Sequence, residues 1–244
     1  MSRPDFESGE QVQAVLFDFA GTLFAPEHAE RQVALASGEL GIALTADEQC
    51  SLAAQFLQAG MPGGPYPHLV PEGLRAAYEQ RDLGPDAHRA AYVALMSTVP
   101  GPEGLAAAVY ERIRLADGWI AYSDTYTTLD ALSELDVTVG LVSNVGFDIR
   151  PILRANGLDE LALHATLSFE HNVEKPAPEI FQRALSSVNA EPAHTLMVGD
   201  HPLTDGGAAA LGIQTLILPM SAPGREHGLH RVLEVVKSTR GRAS

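Results

Sequence analysis

Cysteine is almost absent. Cys50 stands alone among 244 residues, so the chain cannot close a disulfide on itself, and a thiolate zinc cluster is excluded. A lone thiol fits a reducing compartment. Lysine is nearly as scarce: Lys175 and Lys237 are the only two. Positive charge as a whole is short, with 16 Lys and Arg against 31 Asp and Glu and a formal net charge of −15. A negative field of that size works against nucleic acid and anionic membranes, so neither is expected as a partner. It also opposes anionic ligands, so any phosphate site must carry a local cation. No apolar run reaches the length needed to span a bilayer. Met1-Ser2-Arg3-Pro4-Asp5 lacks the basic-then-apolar layout of a secretory signal. A cytoplasmic protein is the expectation.

Apolar residues make up 45% of the chain, enough for one large domain or for a core with a smaller insertion. Val12–Phe17 reads as a short buried strand that ends at the turn Asp18-Phe19-Ala20-Gly21-Thr22. The character then changes. Ala-rich stretches with helical spacing predict helices over Glu27–Leu40, Ala46–Ala59, Glu72–Arg81, Asp86–Thr98 and Glu103–Leu115, with Thr45 and Asp86 as N-terminal signals. The Gly- and Pro-rich stretch from Gly60 to Pro67 cannot continue a helix. Its Met61 and Tyr66 read first as parts of a turn joining helices, and second as residues that face substrate from the cap.

Beyond Asp117 the pattern alternates. Helices are expected at Thr125–Glu134, Asp148–Asn156, Glu179–Ser187 and Gly206–Leu211. Strands are expected at Thr138–Val142, Ala165–Phe169, Thr195–Val198 and Thr215–Leu218. Alternation of this kind predicts a parallel sheet covered on both faces. The fold class is therefore α/β, a Rossmann-like doubly wound parallel sheet interrupted by an all-helical cap. Residues 1–25 and 119–244 form the expected core, and residues 26–118 the expected cap. Trp119 and Tyr122 read as packing where the two meet. His88-Arg89 and His227 read as exposed.

Open parallel sheets place their active sites at the carboxyl ends of strands. Asp18 with Thr22, Ser143 with Asn144, Lys175, and Asp200 with Asp205 all fall at or near such ends. Asp18 and Asp200 can hold a hard divalent cation through oxygen, a preference that magnesium satisfies. Asp205 can serve as a ligand or orient one. With the charge so balanced, one oxygen of Asp18 can attack an electrophile. Lys175, Thr22 or Ser143, and the backbone N–H groups that follow Asp18, beginning with Phe19, can stabilise the oxygens of a transferring phosphoryl group. Asn144 reads either as a phosphate-side group or as a stabiliser of its own turn.

Four stretches in order carry a resemblance that covers almost the whole chain. They are Phe17-Asp18-Phe19-Ala20-Gly21-Thr22-Leu23, Val142-Ser143-Asn144, Glu174-Lys175-Pro176, and Val198-Gly199-Asp200-His201-Pro202-Leu203-Thr204-Asp205-Gly206. Each is weak alone. Together they resemble the haloacid dehalogenase-like (HAD) hydrolase superfamily, in the branch with a helical cap after the first strand. The resemblance implies Asp18 as nucleophile, Ser143 as a phosphate ligand and Lys175 as the charge partner of both Asp18 and the phosphate. It implies a Mg2+ site made by Asp18, Asp200 and the Ala20 carbonyl and supported by Asp205. The substrate would be a small phosphorylated or otherwise activated metabolite.

Ala20 departs from the pattern. Phosphatases of this superfamily usually carry a second aspartate there, which protonates the leaving oxygen and then activates water. A methyl group transfers no proton. Phosphonoacetaldehyde hydrolases also have Ala, but they use a cap lysine, and no lysine lies between Thr22 and Ser143. Haloacid dehalogenases usually have an aromatic residue there and lack the paired acids Asp200 and Asp205. The first reading is a slow or specialised phosphatase, acting on a good leaving group such as an acyl phosphate or using His28 or His201 as the acid. A catalytically weak or inactive binding protein comes second, and a 2-haloacid dehalogenase third.

Overall fold

The computed structural model describes residues 11–65, 67 and 69–240. Tyr66 and the N-terminal stretch read above for a targeting signal lie outside these residues. No helix among the described residues is long and apolar enough to cross a membrane.

Ala14-Val15-Leu16-Phe17 is apolar on both sides of the pleat, and all four residues are fully buried in strand β1 (Ala14–Phe17). A strand of that kind belongs inside a sheet covered on both faces. The chain then runs through β2 (Phe24–Pro26), α1 (Ala29–Glu39), α2 (Ala46–Ala59), α3 (Arg75–Glu79), α4 (Pro85–Met96), α5 (Leu105–Ile113) and β3 (Trp119–Ala121). It continues with α6 (Thr125–Glu134), β4 (Thr138–Ser143), α7 (Arg150–Ala155), α8 (Asp159–Leu163), β5 (Ala165–Leu167), α9 (Ser168–His171), α10 (Pro178–Ser187), β6 (Thr195–Gly199), β7 (Gln214–Ile217) and α11 (His230–Arg240).

Five strands form one parallel sheet in the order β5-β4-β1-β6-β7. The period of two along each strand divides the core. Ala14, Leu16, Val142 and Met197 face Ile180, Phe181, Ala184 and Leu185 of α10. Val15, Phe17, Leu141 and Val198 join the cluster that contains Leu132 of α6, Leu153 of α7, and Val232 and Val236 of α11. Helices thus cover both faces, as the alternating sequence pattern predicts.

The helices α1 to α5 form the insertion. A full capping box opens α2: the Thr45 hydroxyl accepts from Glu48 N–H, and the Glu48 carboxylate accepts from Thr45 N–H at 2.8 Å. Gly60 closes the same helix in the left-handed conformation. The chain leaves the core through β2 and returns through β3, and these two strands pair antiparallel, Phe24 opposite Ala121 and Pro26 opposite Trp119.

Three expected elements differ. The helix over Glu72–Arg81 is broken into a 3-10 turn at Glu72–Leu74, the short α3, and a second 3-10 turn at Arg81–Leu83. The strand expected over Ala165–Phe169 stops at Leu167. The Ser168 hydroxyl donates to the Asp82 carbonyl at 2.6 Å and accepts from Val145 N–H at 2.8 Å, so the chain turns into α9. The helix expected at Gly206–Leu211 is a 3-10 turn over Asp205–Leu211. Gly206 and Gly207 are poor α-helix formers, and Asp205 is already anchored elsewhere.

Candidate active site

Three neighbouring strands deliver their carboxyl ends to one place. Asp18 follows β1, Ser143 ends β4, and Asp200 follows β6. Asp18 N–H donates to the Val198 carbonyl at 2.9 Å, which carries the ladder one residue past β1 and fixes the position of the carboxylate. Lys175 enters from the loop between α9 and α10. Its ammonium donates to Asp18 Oδ1 at 2.7 Å and to Asp205 Oδ1 at 2.6 Å. The second Asp205 oxygen accepts from His201 N–H at 2.9 Å. Asp18, Lys175 and Asp205 are buried, and Asp205 completely so.

Gly21 is required in this cluster. Its φ is +82°, and a Cβ there would lie 2.5 Å from Asp200 Oδ2. Any side chain would be strained and would push the carboxylate away.

Three carboxylates face one ammonium. Burial opposes the charge on Lys175, but Asp18 and Asp205 outweigh it and hold its pKa above the ordinary lysine value. Burial, helped by Asp205, drives Asp18 upward against the pull of Lys175. Burial, then the charges of Asp18 and Asp205, push the Asp200 carboxyl up to about 7. The cluster is short of positive charge. Oxygens of Asp18, Asp200 and Asp205 lie within 4.8 Å of one another. An all-oxygen donor set of this spacing and charge suits a hard divalent ion such as Mg2+, so the residues fit the metal that the sequence implies.

A cleft of about 360 Å³ opens over this cluster. It is of a size for a small metabolite. Asp18, Phe19, Ala20, Ser143 and Lys175 are among the residues that line it. The Phe19 N–H faces the Asp18 carboxylate, while its ring packs on Phe24 and Trp119, with centroids 5.0 and 4.7 Å away.

Other expected residues are placed differently. Thr22 is fully buried and does not line the cleft, and its hydroxyl finds no partner among the described residues. Its expected phosphate contact is therefore not available here. Asn144 does line the cleft, but its carboxamide is spent on the Lys175 backbone. It donates to the Lys175 carbonyl at 2.9 Å and accepts from the Lys175 N–H at 2.7 Å. It therefore positions the lysine. His28 is exposed and lies outside the cleft, so it is no stand-in for the missing acid. His201 lies in the cleft wall, where its Nδ1 accepts from Thr204 N–H at 3.2 Å.

His88 and His227, read as exposed, are both buried. His88 Nδ1 lies 2.9 Å from the Tyr110 hydroxyl, and His227 stacks on Tyr122 at 4.4 Å. Met61 sits in the cleft wall, so its loop does more than join helices. Trp119 packs as expected and donates through Nε1 to the Ile113 carbonyl at 2.7 Å.

The insertion also supplies groups that the sequence reading missed. Arg81 and Asp82 pair at 3.1 Å inside the cleft, and Arg81 donates through Nε to the Tyr92 hydroxyl at 3.2 Å. From the core side, Glu174 joins them. A helix break before Gly84-Pro85 that carries adjacent opposite charges was the available signal for the first two.

The parallel sheet, the helical insertion and the acidic cluster at the strand ends define a class. The chain belongs to the haloacid dehalogenase-like hydrolase family, whose model matches residues 12–212. Among curated proteins it is similar to (S)-2-haloacid dehalogenase 1 from Pseudomonas sp. (strain CBS-3), 33% identical over 39% of this chain and 43% of that protein. It is also similar to pyrophosphatase PpaX from Oceanobacillus iheyensis, 30% identical over 45% of this chain and 52% of that protein. The chain thus spans about half the length, or less, of the curated relatives it matches. The same fold occurs in the HAD-hydrolase YfnB from Bacillus subtilis, solved bound to magnesium: 22% identity, TM-score 0.65, 93% of this chain and 99% of that one.

Proposed function

We propose that this chain is a magnesium-dependent phosphatase of small phosphorylated or otherwise activated metabolites that works through an aspartyl-phosphate on Asp18. One observation carries the reading. Three carboxylates and one buried ammonium converge at the strand ends, with Lys175 Nζ within 2.7 Å of Asp18. Asp18 and Asp200, with the Ala20 carbonyl, would hold the ion, and Asp205 steadies Lys175 and the His201 N–H. When bound, the ion neutralises the acidic cluster and the charge of the phosphoryl oxygens. Asp18 attacks phosphorus with its second oxygen. Lys175 and Ser143 hold the equatorial oxygens, and the insertion, acting as a cap, excludes water from above. The pair Asp200 and Asp205 supports phosphoryl chemistry over halide displacement. The pyrophosphatase relative supports it also.

The reading makes a direct prediction. Asp18→Asn is expected to reduce phosphate release to background while the circular dichroism and thermal transition stay close to wild type. Acetyl phosphate and p-nitrophenyl phosphate with magnesium are the probes. Halide release from a 2-haloacid, with or without magnesium, would replace this reading with a dehalogenase. Activity toward none of these would leave a binding protein.

A further inference from the structure

Ala20 leaves the proposed reaction without its proton carrier, and the groups in the cleft wall can be weighed for that role. Burial, then Arg81 and Arg114, push the His88 pKa down to about 3, so near neutrality His88 holds no proton to give. Asp82 is locked to Arg81 at 3.1 Å. The Tyr92 hydroxyl accepts from the same guanidinium, and burial raises its pKa far above neutrality. Glu174 differs. It is half-buried, it lines the same cleft as Asp18 and Ala20, and its Oε1 is shielded from solvent with no hydrogen-bond partner. A shielded, unpartnered carboxyl oxygen calls for an explanation, and a catalytic task is one of the few available. Its place is fixed, because Asn144 holds the backbone of the next residue on both sides.

We propose that Glu174 performs the proton transfers that Ala20 cannot, an assignment that rests on the phosphatase reading of the site. In the first step Asp18 Oδ bonds to phosphorus and the bond from phosphorus to the leaving oxygen breaks. The Glu174 carboxylic acid gives its proton to that oxygen, which departs as the alcohol. In the second step the Glu174 carboxylate takes a proton from water as the water oxygen bonds to phosphorus. The bond from phosphorus to Asp18 breaks, inorganic phosphate leaves, and both carboxyl groups return to their starting forms.

The surroundings favour the acid form over the charged one. Burial, then the charge of Asp82, raise the Glu174 pKa, and Arg81 only partly offsets them. Asp82 and Arg81 both come from the insertion, and Lys175 is the neighbour in the chain. Closure of the insertion therefore helps to keep the proton in place.

Glu174→Gln keeps the shape and removes the transferable proton. The readout is kcat/KM across ethyl phosphate, p-nitrophenyl phosphate and acetyl phosphate with magnesium. Ethyl phosphate, which has the poorest leaving group, is expected to lose about a hundredfold, and acetyl phosphate no more than about threefold. The alkaline fall in the wild-type pH profile should flatten in the variant. An equal loss on all three substrates would mean that Glu174 only positions Lys175, and would overturn the proposal. So would no loss at all, or a selective loss in His201→Gln instead. Asp18→Asn is run in parallel. Activity in that variant sinks the phosphatase reading itself, whereas a dead Asp18→Asn beside an unaffected Glu174→Gln sinks only the assignment made here.

Discussion

Ala20 sits two residues after Asp18, the proposed nucleophile, half-buried, with its backbone bridged to Phe24. Ala20 lines the same cleft as Asp18, so an acid at this half-buried position is expected to reach the reacting atoms without displacing a fully packed side chain. The cost is charge: Asp18 and Asp205 already share Lys175 and Asp200 lies beside them, so a fourth carboxylate adds to an acidic cluster short of positive charge. At saturating magnesium, Ala20→Asp in the Glu174→Gln background is expected to restore ethyl phosphate hydrolysis by roughly ten- to a hundredfold, within the range of general acid help. Steady-state rates of the single and double variants check this. A double variant as slow as Glu174→Gln would mean that proton supply is not what that variant lacks.

Among the elements, α4 carries the clearest electrostatic consequence. Its His88 is enclosed by Tyr92, Tyr110 and Phe147, with ring centroids 4.6, 5.6 and 5.3 Å away. Its pKa of about 3 lies below the ordinary 6.5. Between those values the unfolded chain binds a proton that the folded chain refuses. Stability from this group is therefore complete above pH 6.5 and falls as pH drops toward 3, by up to about 1.4 kcal/mol per unit. The melting temperature of wild type should fall more steeply from pH 6.5 to 4 than that of His88→Gln. Parallel curves would show that His88 is charged in the fold. This burial was not legible in the sequence, where His88 follows Asp86 and precedes Arg89 and so reads as a solvated face. Helix α2 was legible to the residue, because Thr45 and Glu48 form its capping box and Gly60 its stop. The convergence of Asp18, Ser143 and Asp200 was legible too, since each falls at or just past the end of a neighbouring strand, whereas Lys175 arrives from a loop that only its Pro-flanked setting marked. The contact expected of Thr22 is missing and the two readings of Asn144 stayed open, because sequence shows that a polar group is near the site, but not where it points. The ribbon of β2 and β3 and helices α8 and α11 were missed. The first is only three residues per strand, and α11 follows a long loop rich in Gly and Pro, although Val232, Val236 and Thr239 keep helical spacing on its buried face.

At the scale of the molecule, the cleft exists only because the insertion and the sheet meet over Asp18. Two of the contacts at that meeting are especially close. The Asp82 carbonyl accepts from the Ser168 hydroxyl of the core at 2.6 Å. Gly146, in the loop after β4, lies against the start of α4: a Cβ there would fall 2.6 Å from the Arg81 carbonyl and closer still to the His88 side chain. Backbone on one side and a packed ring on the other leave little room to yield. Gly146→Ala should therefore hold the insertion away from the sheet while leaving the sheet and its flanking helices intact. Arg81, Asp82 and the loop around Met61 would withdraw from the floor, and water would enter. A displacement of about an ångström at the reacting groups costs on the order of a hundredfold in rate, so kcat/KM should drop by at least about tenfold with only a small change in the thermal transition of the core. Small-angle scattering should report a larger radius of gyration than wild type. Wild-type kinetics in Gly146→Ala would mean that the closed arrangement is not the one in which chemistry occurs.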